Sequence, residues 1–213
     1  MTYQHFQTHL ASAEAGAHPI TALANLRQQI QEIHSLEERD WMLFQNRVHW
    51  ETCPKGTLLL QPGKTCDHLR FLHQGAVIYY DGLDEETQLE QVGWIAQPGE
   101  IAVEIVSFFQ RIPTQQYMKC TVACAFLSLS RADLEALYAE SATWNIVGRR
   151  LAERYILLMA ERTHFHKLNS AREKYRYFTE RFPQTMQLVS QRHIAAFLRI
   201  RPETLSRMRA RRE

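Results

Sequence analysis

The side chains with the most capacity for chemistry lie near the C-terminal end of the sequence. After Pro202, the residues Glu203, Thr204, Ser206, Arg207 and Arg211 fall on the outward face of a helix whose inward face carries Leu205 and Met208. Such a face can read nucleic-acid base edges: arginine grips guanine O6 and N7 with two hydrogen bonds, and glutamate accepts from cytosine N4. Ser190, Arg192 and Arg201 fall at helix starts, where free backbone N–H groups attract phosphate. The local charge agrees. Residues 171–213 hold eleven Lys and Arg against four Asp and Glu, a net of +7, while residues 1–170 carry −5 and the whole chain +2. A basic tail on a mildly acidic body points to an anionic partner, double-stranded DNA.

These residues need elements to hold them. Ser190 is a good N-cap for a helix burying Ile194, Phe197 and Leu198. Pro202 suits the first turn of the next, where its missing N–H costs nothing, and Glu203 complements the helix dipole. The intervening Arg199–Arg201 segment has helix-turn-helix length. A helix over about 171–182 precedes them, opened by a Ser170/Glu173 capping box and carrying Tyr175, Phe178 and Phe182 on one face.

Further upstream, Ser141 opens a long helix to about His166 in which Leu151, Tyr155, Leu158, Arg162 and Phe165 recur with a 4-3-4-3 rhythm. A stripe that narrow suits a second copy of the same helix, with Leu151, Tyr155, Leu158 and Phe165 as the homodimer seam. Packing on the chain's own strands is the alternative. Ser130 with Asp133 caps a shorter helix, RADLEALY. From about residue 48, short apolar runs (TLLL, HLRFL, AVIYY, LEQVGWI, CAFLSLS) alternate with Pro-Gly, Gln-Gly and Asp-Gly turns, the texture of an antiparallel roll. Before it, Ile20, Leu23, Leu26 and Ile30 mark one helix, and Ser35 with Glu38 is a capping-box pattern opening another, in which Leu36, Trp41, Leu43 and Phe44 would be buried.

Several function classes are not expected. No run approaches the ~20 apolar residues of a membrane span, so no membrane partner is expected. The first twenty residues lack Lys, Arg and an apolar stretch, so a secretory signal is not expected and the cytoplasm is the expected compartment. Cys53, Cys66, Cys120 and Cys124 form no CxxC pair, and Cys120 and Cys124 share a strand face as buried thiols, so no metal centre is expected. His68, His73, His164 and His166 have no spacing diagnostic of haem or metal. No GxSxG, P-loop or HExxH occurs, so neither an enzyme nor a cofactor is expected.

Three blocks carry a family resemblance: PGKTCDHLRFLHQGAVIYY, PGEIAVEIVSFFQRIPTQQY and SQRHIAAFLRIRPETLSRMR. Over roughly residues 40–213 the chain resembles the Crp/Fnr superfamily of bacterial transcription regulators. The resemblance implies an α+β protein in three parts. Residues 1–140 would form N-terminal helices and a cyclic-nucleotide-binding-like jelly roll, 141–168 a dimerisation helix, and 169–213 a helix-turn-helix DNA-binding domain. It places Glu203 and Arg207 at base-reading positions, with Thr204 and Arg201 near phosphates. The chain departs from the pattern in the effector pocket, which falls at Val103, Glu104, Ser107, Thr114 and Gln115. Val103 stands where the family has glycine, and Thr114-Gln115 replace the Arg-Ser/Thr pair that receives a cyclic phosphate. A degenerate pocket that does not bind cyclic AMP is therefore expected, with an unknown small-molecule effector as a possible partner. Arg199 stands where the inter-helix turn usually has glycine, and the sequence ends at Glu213, so a truncated or missing wing is expected. The alternative function is a small-molecule or cyclic-nucleotide sensor or scaffold without specific DNA binding.

Overall fold

The computed structural model describes residues 18–85, 88, 90–168 and 170–210. Two helices, α1 (Pro19–Gln31) and α2 (Glu38–Gln45), lead into β1 (His49–Cys53), β2 (Leu58–Leu60), β3 (His68–Gln74), β4 (Val77–Leu83), β5 (Glu90–Ala96) and β6 (Ile101–Ala102). After α3 (Ile105–Gln110) come β7 (Tyr117–Cys120) and β8 (Cys124–Ser130). The chain then turns helical through α4 (Arg131–Glu140), α5 (Ala142–Lys167), α6 (Ala171–Arg181), α7 (Thr185–Leu188), α8 (Gln191–Leu198) and α9 (Pro202–Ala210). The strands make two antiparallel four-stranded sheets, ordered β1-β8-β3-β6 and β2-β7-β4-β5. Val77 to Tyr80 in β4 and Cys124 to Leu129 in β8 are buried in unbroken runs. Both faces of these strands are therefore covered, unlike those of a sheet with one wet side. Gly75, with φ of +99°, lets the β3–β4 turn lie against β8: a Cβ there would meet Cys124 Sγ at 2.5 Å.

The caps follow the sequence in most places. Ser130, Ser141, Ser170 and Ser190 each accept a backbone N–H at a helix start, and Ser170 with Glu173 completes a capping box. The expected Ser35/Glu38 box does not form. Glu37 is the N-cap residue of α2, without a side-chain bond, because Glu38 turns outward to Arg27 at 2.5 Å.

Helix α5 is fastened at both ends to its own chain. At its root Phe44 stacks between Trp41 and Trp144 (centroids 5.3 and 5.0 Å). There Ser141 Oγ donates to Asp40 Oδ1 at 2.6 Å and Trp144 Nε1 donates to the Asp40 carbonyl at 2.9 Å. At its far end Phe165 stacks flat on Phe197 of α8 at 4.8 Å, and Arg162 donates to the Gly93 carbonyl at 2.8 Å while lying over the Trp94 ring. Phe178, Phe182 and Trp94 complete an aromatic cluster around Phe197. One continuous core thus runs from α1 through the roll into α6, α8 and α9.

Phe197 joins the C-terminal helices to both the roll and α5, so Phe197→Ala should cost about 3–5 kcal/mol of unfolding free energy in a urea titration. A loss below about 1 kcal/mol would mean that the cluster is not a shared core.

Candidate nucleic-acid interface and effector cavity

In α8, Ile194, Ala195, Phe197 and Leu198 are buried, and Ser190 Oγ accepts from the His193 N–H at 3.3 Å. Arg199 ends the helix in the left-handed region (φ 55°, ψ 48°), its N–H bonding back to Ala195 and Ala196. A non-glycine residue there is strained by about 1 kcal/mol. In α9, Leu205 is buried and Met208 half-buried, so Arg201, Glu203, Ser206 and Arg207 are exposed together and Thr204 is half-buried. Arg207 Nε donates to the Glu203 carbonyl at 3.4 Å, a long bond that leaves the guanidinium on the surface. Arg211 lies outside the described residues. Arg192 departs from this group: its guanidinium donates to the Gln88 carbonyl at 3.1 Å, toward the roll.

The seating of α8 on β5 was not visible in the sequence. Glu90 on β5 pairs with Lys119 Nζ at 2.9 Å and with His193 Nε2 at 3.4 Å. Burial lowers the His193 pKa against the pull of Glu90, and its Nδ1 is enclosed without a hydrogen-bond partner. Thr185 Oγ1 donates to Gln97 Oε1 at 3.0 Å, a second buried bond between helices and roll.

Of the five expected effector-pocket residues, Val103, Glu104, Ser107 and Thr114 are engaged in internal hydrogen bonds. Glu104 is the N-cap of α3, its carboxylate accepting from Val106 and Ser107 N–H at 3.2 and 2.8 Å. Ser107 is fully buried; its Oγ accepts from the Cys66 N–H at 2.8 Å and donates to the Ile112 carbonyl at 2.6 Å. Thr114 is buried and accepts from the Gln116 N–H at 3.0 Å, while Gln115 is exposed. Val103 is buried, its N–H donating to the Tyr79 hydroxyl at 2.9 Å. Arg111, the nearest cation in sequence, donates to the Cys66 carbonyl at 2.8 Å and pairs with Asp67.

Beside this neighbourhood a cavity of about 950 Å³ opens between α1, the roll and the middle of α5. Leu151, Tyr155 and Leu158 line it, so the stripe read as a seam faces the chain's own roll, and Phe165 is buried in the aromatic cluster. Phe165 is 2 % exposed, with Phe197 covering its ring. Ile156, 66 % exposed, lies off the cavity, while Leu157, 67 % exposed, borders its rim.

Glu100, in the turn before β6, lies at the edge of the cavity with Oε1 enclosed and lacking a hydrogen-bond partner. Burial pushes its carboxyl up to about 7, against the attraction of Arg181 on α6 and with help from Glu161 on α5. The thiols of Cys53, Cys66, Cys120 and Cys124 are all buried; Cys53 faces Cys124 across β1 and β8, and the Cys120 thiol donates to Cys124. Among the described residues, no group of three or more His, Cys, Asp or Glu side chains is arranged to hold a metal, and no helix is long and apolar enough to cross a membrane.

Neither a family model nor a curated protein matches this sequence. Solved structures do. A cyclic nucleotide-binding domain from Methylobacillus flagellatus superposes with a TM-score of 0.59 at 17 % identity, covering 70 % of this chain and 86 % of that one. FixK2 from Bradyrhizobium japonicum gives 0.56 at 17 % identity, covering 77 % and 83 %. A protein from Eubacterium rectale assigned to the Crp/Fnr family of transcriptional regulators gives 0.56 at 15 % identity, covering 81 % and 82 %. The fold is Crp/Fnr-like: a cyclic-nucleotide-binding-type roll, a long helix and a C-terminal helical unit.

A carboxyl raised from 4.5 to about 7 favours the folded chain most below pH 4.5, and that contribution is lost as the pH climbs through 7. Glu100→Gln keeps the neutral form at every pH. Relative to the parent it should gain stability between pH 5 and pH 8, by on the order of 3 kcal/mol at the upper end. The comparison must be between the two proteins, because burial lowers His68, His73 and His193 and so makes the total rise with pH over part of that range. A pH-independent difference in thermal unfolding would place the Glu100 carboxyl in water.

Proposed function

We propose that the chain is a DNA-binding transcription regulator of the Crp/Fnr type that binds a two-fold symmetric site as a homodimer and does not respond to cyclic AMP. In this reading residues 1–140 sense, 141–168 dimerise and 169–213 hold the DNA. The observation that carries it is α9, which presents Glu203, Ser206 and Arg207 to solvent, with Arg201 exposed just before it, on a helix held from behind by Leu205. A second copy would dock along the open face of α5 at Ile156 and Leu157, which presents two α9 helices to successive major-groove segments. Arg192, turned toward the roll, contributes less than the α9 residues until it is released. The cyclic phosphate has no receiver, since Glu104 already fills the N-terminus of α3 with a negative charge and Thr114 and Gln115 supply no cation.

Selection from genomic fragments followed by fluorescence anisotropy tests this. If a dimer neutralises about 6 phosphates, affinity should fall by roughly 10³ between 50 and 200 mM salt. Arg207→Ala should cost about 1–3 kcal/mol and relax specificity at one base per half-site. An equal loss on every sequence would assign Arg207 to phosphate instead. Sedimentation should show a dimer for the parent and a monomer for Ile156→Glu. Calorimetry with cyclic AMP should show no binding; micromolar binding would reverse that part of the reading.

A further inference from the structure

We propose that Arg199, in the turn between α8 and α9, acts with Arg201 as a phosphate clamp that seats the chain on the DNA backbone without reading bases. This deepens the regulator reading above and rests on it. Among the described residues, three that are not glycine have φ in the left-handed region: Gln88 at 54°, Arg111 at 59° and Arg199 at 55°. A residue with a Cβ is disfavoured there, and such outliers persist where the surroundings hold them or the site uses them.

Two of the three are held by their own side chains. The Gln88 amide donates to the Asp84 and Glu85 carbonyls, at 3.5 and 3.1 Å. The Arg111 guanidinium donates to the Cys66 carbonyl at 2.8 Å and pairs with Asp67. Arg199 differs. Its backbone closes the end of α8, with the Arg199 N–H on the Ala196 carbonyl and the Ile200 N–H on the Ala195 carbonyl, each at 3.0 Å. Glycine would make the same two bonds without strain. Arg199 is exposed, and its guanidinium has no hydrogen-bond or ion-pair partner among the described residues. The fold needs the left-handed backbone here and makes no use of the arginine side chain. A residue that contradicts its local preference without a compensating contact marks a functional position.

Arg201 lies two residues on, its Cα within ~7 Å of that of Arg199. It too is exposed and without a side-chain partner among the described residues. Glu203, the nearest carboxylate in sequence, pairs with neither. Two free cations this close repel each other, and a phosphate between them removes the repulsion while accepting hydrogen bonds from both. The pair stands immediately before α9, so a backbone held there fixes how Glu203 and Arg207 meet base edges.

Fluorescence anisotropy of the full chain with a selected genomic fragment and with a duplex of unrelated sequence tests the clamp. Each phosphate contact contributes about 0.9 to the steepness with which log affinity falls against log salt concentration. Arg199→Gly should reduce that steepness by about 1.8 per dimer and weaken both duplexes alike, by at least about tenfold at ~0.1 M salt. Arg199→Lys keeps the charge and should keep the salt dependence. Thermal unfolding separates the clamp from a structural role, because Arg199→Gly relieves the strain and should unfold no lower than the parent. Unchanged affinity and salt dependence in Arg199→Gly would overturn the proposal, as would a fall of more than about 3 °C in its unfolding temperature. A loss confined to the selected fragment would assign Arg199 to base reading and overturn it as well. If the parent binds neither duplex, the regulator reading fails and the clamp fails with it. If the parent binds and Arg199→Gly binds equally well, the clamp alone fails.

Discussion

The double anchorage of α5 is the constraint on which the rest of the structure depends. Its first turn is held by the Phe44–Trp144 stack and the Asp40 bonds, and its last by Phe165 on Phe197 and Arg162 on Gly93. Between these points the helix spans the roll without filling the space beneath it. The cavity, the inward turn of Tyr155 and Leu158, and the seating of α8 on β5 all follow from where those two aromatic contacts fall.

The region around α3 shows how a helix start is satisfied from within the chain. A helix start with free N–H groups attracts negative charge from whatever source is nearest. Here the source is Glu104, one residue before the helix, and Ser107 and Arg111 spend their polar groups on Ile112, Cys66 and Asp67. Each group is satisfied within the chain, so an incoming phosphate would have to break bonds already made. Val103 is buried beside them, its N–H donating to the Tyr79 hydroxyl.

Much of the helical part was legible because caps are local: Ser130, Ser141, Ser170 and Ser190 each need only the next three residues to act. The Ser35 box failed because Arg27, on another helix, competes for Glu38. Strands β1, β6 and β7 went unread because HWETC, IA and YMKC are short and mixed, and their pairing partners lie far along the chain. The outward residues of α9 were readable from Leu205 and the helical period. The direction faced by the α5 stripe was not, since periodicity defines a face and leaves its neighbour undetermined. Of the cavity wall, only Val103 and Glu104 were marked in the sequence, as the remaining walls come from segments up to more than a hundred residues apart.

A rod held at both ends turns as a lever about whichever anchor yields last. Helix α5 has 26 residues and is about 39 Å long at 1.5 Å per residue. Tyr155 lies about 16 Å beyond Trp144 and Phe165 about 32 Å beyond it. For a rigid helix pivoting at Trp144, a displacement of about 1 Å at the cavity becomes roughly 2 Å where Phe165 meets Phe197. That distance is large compared with the tolerance of a stacked ring pair. A ligand that wedges α5 outward would therefore shift α8 before it disturbed the root of the helix, with mechanical gain supplied by the position of the cavity along the shaft.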